Sequence, residues 1–343
     1  MASTYDAKIQ NSWHIMFVFA KNLHYLLLIS RKSTIFAQII AISYMNKTAL
    51  YVQSERLRSY SSVFTRKVFS DIINYNDFSH LNWLYSTYDQ YQRGIESYYD
   101  YLLYLYKYIV RCYRCEYVYK NEIINQLLLK KYGTKNTIAF NEFRIGNSIV
   151  DFAMMNGESK AFEIKTQFDT SRRLSKQMGD YKKVFNKCYI VVASEDLGYY
   201  ESIVEPTIGI IELFYDRGRI KLNEYRPAVK NSELDSEILM GCLRTQEYKD
   251  IVLSFDGYLP DVSEYEMYDA CKARIMQIPS LRLNELFLYE IKKRKSVTSI
   301  LKDVPKELRQ ICLSLNLSEK ERLELANQLC NPIKKSDLCI SRI

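Results

Sequence analysis

Asp151, Glu163 and Lys165 are spaced so that two carboxylates and an ammonium could meet a divalent metal and a scissile phosphate. Phosphodiester hydrolysis builds negative charge on the non-bridging oxygens, the attacking water and the leaving oxygen, and a hard cation held by carboxylates stabilises that charge. Asp151 and Glu163 are the ligands such chemistry asks for. Lys165 would lower the pKa of the attacking water or hold it against the phosphorus. The three residue types are common, and a strand with a solvated charged face carries the same letters, so their neighbours must decide between the two.

Alternation positions them. In 149–154, Val150, Phe152 and Met154 fall on one face of a strand and Asp151 on the other. In 161–165, Phe162 and Ile164 form the core pair, and Glu163 and Lys165 share the opposite face. Opposed residues in an antiparallel pair share a face, so their numbers must sum to an even value. A two-residue turn at Asn156-Gly157, the commonest reading of that dipeptide, would pair Met155 with Glu158 and give an odd sum. The pattern therefore predicts an odd-length loop or a one-residue bulge. With Asn156-Gly157-Glu158 as the loop, Asp151 lies opposite Glu163, their Cβ atoms about 4.5 to 5.5 Å apart.

Upstream, 119–129 has helical spacing and stops at Tyr132-Gly133. That helix could deliver Glu122 to the same metal, a role for which Glu142 competes from a strand. Downstream, Asp169 or Thr170 is a natural cap for a helix through Lys187. Its broad face would carry Leu174, Gln177, Met178, Tyr181, Val184 and Phe185, with Arg172, Arg173, Lys176, Lys182 and Lys183 around it. Arg172 and Arg173, in the first turn, are expected to contact phosphate, since helix N-termini already favour anions. The apolar run 188–193 reads as a buried strand.

This order of elements resembles the PD-(D/E)XK nuclease superfamily. The run from Glu163-Ile164-Lys165-Thr166 through Asp169-Thr170-x-Arg172-Arg173-Leu174 to Gln177 is similar to a poorly characterised bacterial family assigned to it, as is Asn141-Glu142-Phe143-Arg144-Ile145-Gly146. The resemblance spans residues 116–225. It implies an α/β, restriction-endonuclease-like core with a mixed central sheet flanked by helices. Asp151 and Glu163 would be ligands of Mg²⁺ or Mn²⁺, Lys165 the catalytic lysine and Glu122 the helix carboxylate. Gln177 and Tyr181 would steady the site, and Arg172, Arg173, Lys176 and Tyr181 would meet the nucleic acid. The implied activity is hydrolysis of DNA by an endonuclease or nickase, with defence against foreign DNA as its setting. No Pro precedes Asp151, a departure from the pattern. The alternative is a non-catalytic nucleic-acid-binding or protein-interaction module that keeps the fold. Hydrolysis of RNA or of a small phosphate ester also stays open.

The rest of the chain frames this core. Hydrophobic content of 48% and aromatic content of 14% require a folded protein, and ten Gly and six Pro in 343 residues favour helices over tight turns. Three regions are expected: a helical, basic, Tyr-rich 1–115, the core 116–230, and a helical 231–343. Of the net charge of +8, residues 1–70 supply nearly all, with nine Lys and Arg against Asp6 and Glu55. That arm is either a phosphate-binding surface or a solvated helical face. The apolar pieces 16–20 and 25–29 are interrupted by Lys21, Asn22 and His24 and fall short of the roughly 20 residues of a spanning helix. No membrane contact and a cytoplasmic location are expected, and eight Cys fit that compartment. Leu84, Tyr88, Tyr91, Ile95, Tyr98, Leu102, Leu105 and Ile109 follow a heptad, predicting one long helix. Its tyrosines are expected to pack on neighbouring helices or a second subunit, in preference to stacking on bases. DNA is the expected partner, with a homodimer or a helical partner protein as the alternatives for the tyrosine-rich helices. Segments 207–214 and 219–222 read as a closing hairpin.

Overall fold

The computed structural model describes residues 52–334, and those from Leu57 onward belong to one compact unit. Most of the basic arm, the apolar pieces 16–20 and 25–29, and Cys339 lie outside the described residues. Before the sheet come helices α1 (Arg66–Tyr75), α2 (Ser79–Leu84), α3 (Tyr98–Cys112) and α4 (Glu116–Glu122). Between its strands lie α5 (Leu174–Lys182) and α6 (Leu197–Ile203). After it follow α7 (Ser236–Met240), α8 (Thr245–Asp256), α9 (Met267–Ile275), α10 (Ser280–Lys292), α11 (Arg309–Leu315) and α12 (Glu319–Leu329).

One six-stranded sheet runs in chain order: β1 (Ile138–Ile145), β2 (Ser148–Met155), β3 (Ser159–Lys165), β4 (Lys187–Ala193), β5 (Gly209–Asp216) and β6 (Arg219–Arg226). The first three strands form an antiparallel meander. Strands β3, β4 and β5 are parallel, so each join needs a crossover, which α5 and α6 supply. Strand β6 returns antiparallel through Arg217-Gly218, both at positive φ, the conformation of a tight hairpin turn. The sheet is therefore mixed and flanked by helices.

Both faces of the sheet are buried, where alternation had predicted one core face and one charged face. Phe152, Met154, Phe162 and Ile164 pack into a core shared with α1–α4, α11 and α12. Ala153, Met155, Ala161, Ile190 and Val192 enter a second core with α5–α10. Parallel strands covered on both sides have no solvated face to offer. The regions before and after the sheet thus share its two cores, and the divisions at 115 and 230 mark changes of element type within one unit.

The β2–β3 ladder closes at Met155↔Ser159, leaving Asn156-Gly157-Glu158 as a three-residue loop with Gly157 at φ 97°. The β1–β2 ladder has one gap, at Glu142 and Asp151, where Glu142 adopts φ 64°. Across that gap β2 changes sides: Val150 lies in the second core and Phe152 in the first. Alternation alone had put both on one face.

Two helices differ from expectation. The heptad over 84–109 is not one helix. After α2 the chain makes a π turn over Tyr85–Asp89 and bends with Gly94 at φ 77°, and α3 starts afresh at a Ser97–Asp100 capping box. Tyr91, on the expected seam, is 88% exposed. The tyrosines of α3 do pack: Tyr98 stacks on Phe78, with 3.7 Å between ring centroids, and Tyr101 and Tyr106 are buried. Helix α5 ends at Lys182, because Lys187 already begins β4. Among the described residues no helix is long and apolar enough to cross a membrane.

Gly209 shows how tightly β4 and β5 are joined. A Cβ there would lie 2.4 Å from the Tyr189 ring and 2.8 Å from the Ala228 backbone nitrogen. The Tyr189 ring is itself stacked on Phe162 at 5.3 Å. Gly209→Ala is expected to destabilise the fold by about 1 to 3 kcal/mol in urea unfolding. An unchanged midpoint would mean that the ring and strand yield freely.

Candidate active site

The gap in the ladder is where the candidate residues meet. The Phe152↔Phe162 pair would be followed by Asp151 opposite Glu163, but there the Ile164 N–H turns to the Asp151 side chain and donates to Oδ2 at 2.7 Å. A side chain thus takes a place in the sheet that a carbonyl would fill. The two carboxylates are close enough for the charge of Glu163 to raise the Asp151 pKa. Burial, then Glu163 and Glu116, push the Asp151 carboxyl up to about 8, against the opposing pull of Lys120 and the Ile164 N–H.

Glu163 is 2% exposed and Lys165 6%, so neither sits on a solvated strand face. A buried charge needs a partner. Lys165 Nζ lies 2.7 Å from Glu163 Oε1 and donates to Gln177 Oε1 at 3.2 Å. The Tyr181 hydroxyl lies 2.6 Å from Glu163 Oε2 and 2.7 Å from the Ile149 carbonyl, and its single proton can serve only one of them at a time. Burial and the Glu163 charge push the tyrosine pKa up, which keeps it a donor. The helical period brings Gln177 and Tyr181 to one side of α5, while Leu174, Met178 and Tyr181 anchor that helix in the second core. Ser148 adds a tie from β2 to α5 through Asp180 at 2.6 Å.

Glu122 is not part of this group. It accepts hydrogen bonds from Gln126 at 2.6 Å and Tyr106 at 3.3 Å, and Gln126 in turn binds the Ile220 carbonyl on β6. The same helix supplies Glu116 and Lys120, four residues apart on one face. A helix turns about 100° per residue, so six residues carry Glu122 about 240° round from Glu116. Lys120 Nζ is buried, 2.5 Å from Glu116 and 4.0 Å from Glu142. Sequence reasoning named neither Glu116, whose charge acts on Asp151, nor Lys120. The readable signal was the Glu116/Lys120 pair at i,i+4 directly behind Cys115, the helix cap position. Glu142, the strand candidate, faces Lys120 and Arg66, the latter at 3.6 Å.

Arg172, Arg173 and Lys176 are exposed, and none forms an ion pair with a described carboxylate. Arg172 and Arg173 lie in a 3-10 turn, Ser171–Arg173, that leads into α5. Asp169 caps no helix. Its carboxylate accepts from the Thr166 N–H at 2.9 Å and the Thr166 hydroxyl at 2.7 Å, closing the turn behind β3.

Whether a divalent cation fits depends on the donors. Among the described residues no three His, Cys, Asp or Glu side chains gather as a metal-holding group. Mg²⁺ needs fewer, because it keeps several waters and takes one or two carboxylates together with substrate phosphates. Asp151 and Glu163 are the two carboxylates at this position. Asp151 Oδ1 accepts no hydrogen bond from the described residues, whereas both oxygens of Glu163 are engaged by Lys165 and Tyr181.

The profile of a family described as Bacteriophage P4 protein cII matches residues 110–315. The chain belongs to that family. Protein cII of Enterobacteria phage P4 is 26% identical over 175 residues, which cover 50% of this chain. The chain spans 65% of the length of that curated relative. Asp151, Glu163, Lys165, Gln177, Tyr181, Glu116 and Lys120 all fall inside the segment matched to the cII family. A solved structure, a protein of unknown function from Silicibacter pomeroyi, aligns with 38% of this chain and 87% of its own at 16% identity and a TM-score of 0.24.

Tyr181→Phe removes the donor to Glu163 and Ile149 and keeps the ring in the second core. It is expected to cost about 1 to 3 kcal/mol in denaturant unfolding while circular dichroism stays that of the wild type. A cost near zero would show that the hydroxyl contributes nothing to holding Glu163.

Proposed function

We propose that this cII-family chain is a divalent-metal-dependent nuclease that hydrolyses phosphodiester bonds in DNA, as an endonuclease or nickase. The observation that carries the reading is the group formed by half-buried Asp151 and buried Glu163 and Lys165 at the break in the sheet, with Gln177 and Tyr181 closing on it from α5. A fold gains no stability from setting a half-buried carboxylate beside a buried one, and such arrangements concentrate where chemistry needs them. The element order around it, a helix, three antiparallel strands, a helix and a parallel strand, agrees with the resemblance to the PD-(D/E)XK superfamily and its restriction-endonuclease-like core.

Asp151 and Glu163 would hold Mg²⁺ or Mn²⁺, which supplies positive charge for the phosphoryl oxygens and acidifies a bound water. Lys165 keeps an ammonium beside that position, aimed by Gln177. Tyr181 fixes the Glu163 carboxylate. Glu116, in place of Glu122, is the α4 carboxylate whose charge reaches Asp151, and Lys120 holds it there. Arg172, Arg173 and Lys176 are free to meet phosphates. The closed Lys165–Glu163–Tyr181 contacts favour a second reading, a non-catalytic nucleic-acid-binding or protein-interaction module.

Cleavage of supercoiled and linear DNA by purified full-length protein with Mg²⁺, Mn²⁺ or EDTA separates the two. Asp151→Ala and Lys165→Ala are each expected to lower metal-dependent cutting by at least about a hundredfold. Glu116→Gln should lower it and Glu122→Gln should not. Cutting that survives in both alanine variants, or in EDTA, would sink the nuclease reading. A wild type that binds DNA in a salt-sensitive way and cuts none would support the module.

A further inference from the structure

Three residues beyond Lys165, the chain turns and presents an aromatic ring to water. The turn is locked: the Asp169 N–H binds the Thr166 carbonyl at 3.0 Å, the Asp169 carboxylate takes both the N–H and the hydroxyl of Thr166, and the Phe168 N–H donates to that hydroxyl oxygen at 3.2 Å. Thr166 is buried, so the turn is anchored at its base. Phe168, at its tip, is 54% exposed. One side of its ring rests on Tyr113, with 4.7 Å between centroids and a 33° tilt. Tyr113 lies at the end of α3, three residues before Glu116.

Exposed cations and a second exposed aromatic ring follow in the chain. The next residues along the chain are the exposed Arg172, Arg173 and Lys176. Tyr199 is also exposed and is pinned to Ser171 by a 2.6 Å hydrogen bond between hydroxyls. A single exposed apolar side chain is ordinary. A phenylalanine held out by four hydrogen bonds, backed by a second aromatic ring and followed by three exposed cations, combines a π face with positive charge suited to phosphate. Three residues reach at most about 10 Å along the chain, which bounds the distance between the Phe168 and Lys165 backbones.

We propose that Phe168 is a stacking platform for an unpaired nucleobase, and that the substrate of this site is therefore single-stranded or locally unpaired DNA. The inference rests on the nuclease reading above. Every base has a π face, so the platform reads strandedness and not sequence. In a duplex those faces are covered by neighbouring base pairs, and Phe168 gains nothing from them.

The test uses Phe168→Leu, which keeps an apolar side chain against Tyr113 without a π face, and Phe168→Trp, which keeps the face. Binding of a fluorescent single-stranded oligonucleotide and of its duplex would be measured in EDTA by anisotropy. Cleavage of both with Mg²⁺, melting temperatures, and the fluorescence of 2-aminopurine in the single strand complete the set. We expect Phe168→Leu to bind the single strand about tenfold more weakly, to leave duplex binding unchanged, to lose the 2-aminopurine quench and to melt with the wild type. Phe168→Trp should bind the single strand as the wild type does. Equal single-strand binding by wild type and Phe168→Leu would overturn the proposal, and Phe168 would then simply pack on Tyr113. Cutting of both substrates that falls equally in Phe168→Leu would also overturn it and leave the nuclease reading standing. A wild type that neither binds nor cuts either substrate would overturn both.

Discussion

Glu163 carries its charge in the middle of a strand that is buried along its whole length, and the surrounding structure is built to compensate it. An isolated carboxylate in such a place would cost several kcal/mol, so each of its oxygens has a donor. One comes from its own strand through Lys165 and the other from α5 through Tyr181. Both donors restrict their elements. Lys165 ends β3 where Gln177 can reach it, and Tyr181 fixes the rotation of α5 by also meeting the Ile149 carbonyl on β2. The crossover from β3 to β4 thus has two reasons for its place, apolar packing of Leu174 and Met178 and the hydrogen-bonding needs of one carboxylate.

The break at Asp151 follows the same logic on the neighbouring strand. Ladder pairing is suspended on both sides of the residue, at Glu142 towards β1 and at Glu163 towards β3. The Ile164 N–H that would be orphaned is satisfied by the Asp151 side chain. On β1 the cost appears as Glu142 at positive φ, a strain of order 1 to 3 kcal/mol for a residue with a Cβ. Lys120, buried against Glu116 and Glu142, offsets some of the negative charge gathered there. The sheet gives up two pairs and accepts strain at this one position, where the candidate residues meet.

Much of this was legible in the letters, for definite reasons. The three-residue loop followed from parity, because a strand repeats every two residues and a two-residue turn would have put Asp151 and Glu163 on opposite faces. The pairing of Gln177 and Tyr181 followed from the helical period. Helical spacing fixes which residues share a face and says nothing about which face turns inward, so it does not distinguish Glu116 from Glu122. Tyr106 and Gln126 claim Glu122, while Glu116 and Lys120 take the inward side. The long heptad failed because a seven-residue repeat cannot reveal that Gly94 bends the chain and that Ser97 with Asp100 caps a new helix.

By itself, the sequence determined the strand pair, its loop, the face shared by Glu163 and Lys165, and the crossover helix behind them, because each is a local periodicity read over a few residues. Only the tertiary structure decided that both faces of the sheet are covered, that Val150 and Phe152 lie on opposite sides of the break, and that Glu116 reaches Asp151. Those outcomes depend on residues far apart in the chain. Helices from 66–122 and 309–329 close one face and helices from 174–292 the other. Burial on both sides is what turns an ordinary Glu and Lys into groups that must find one another.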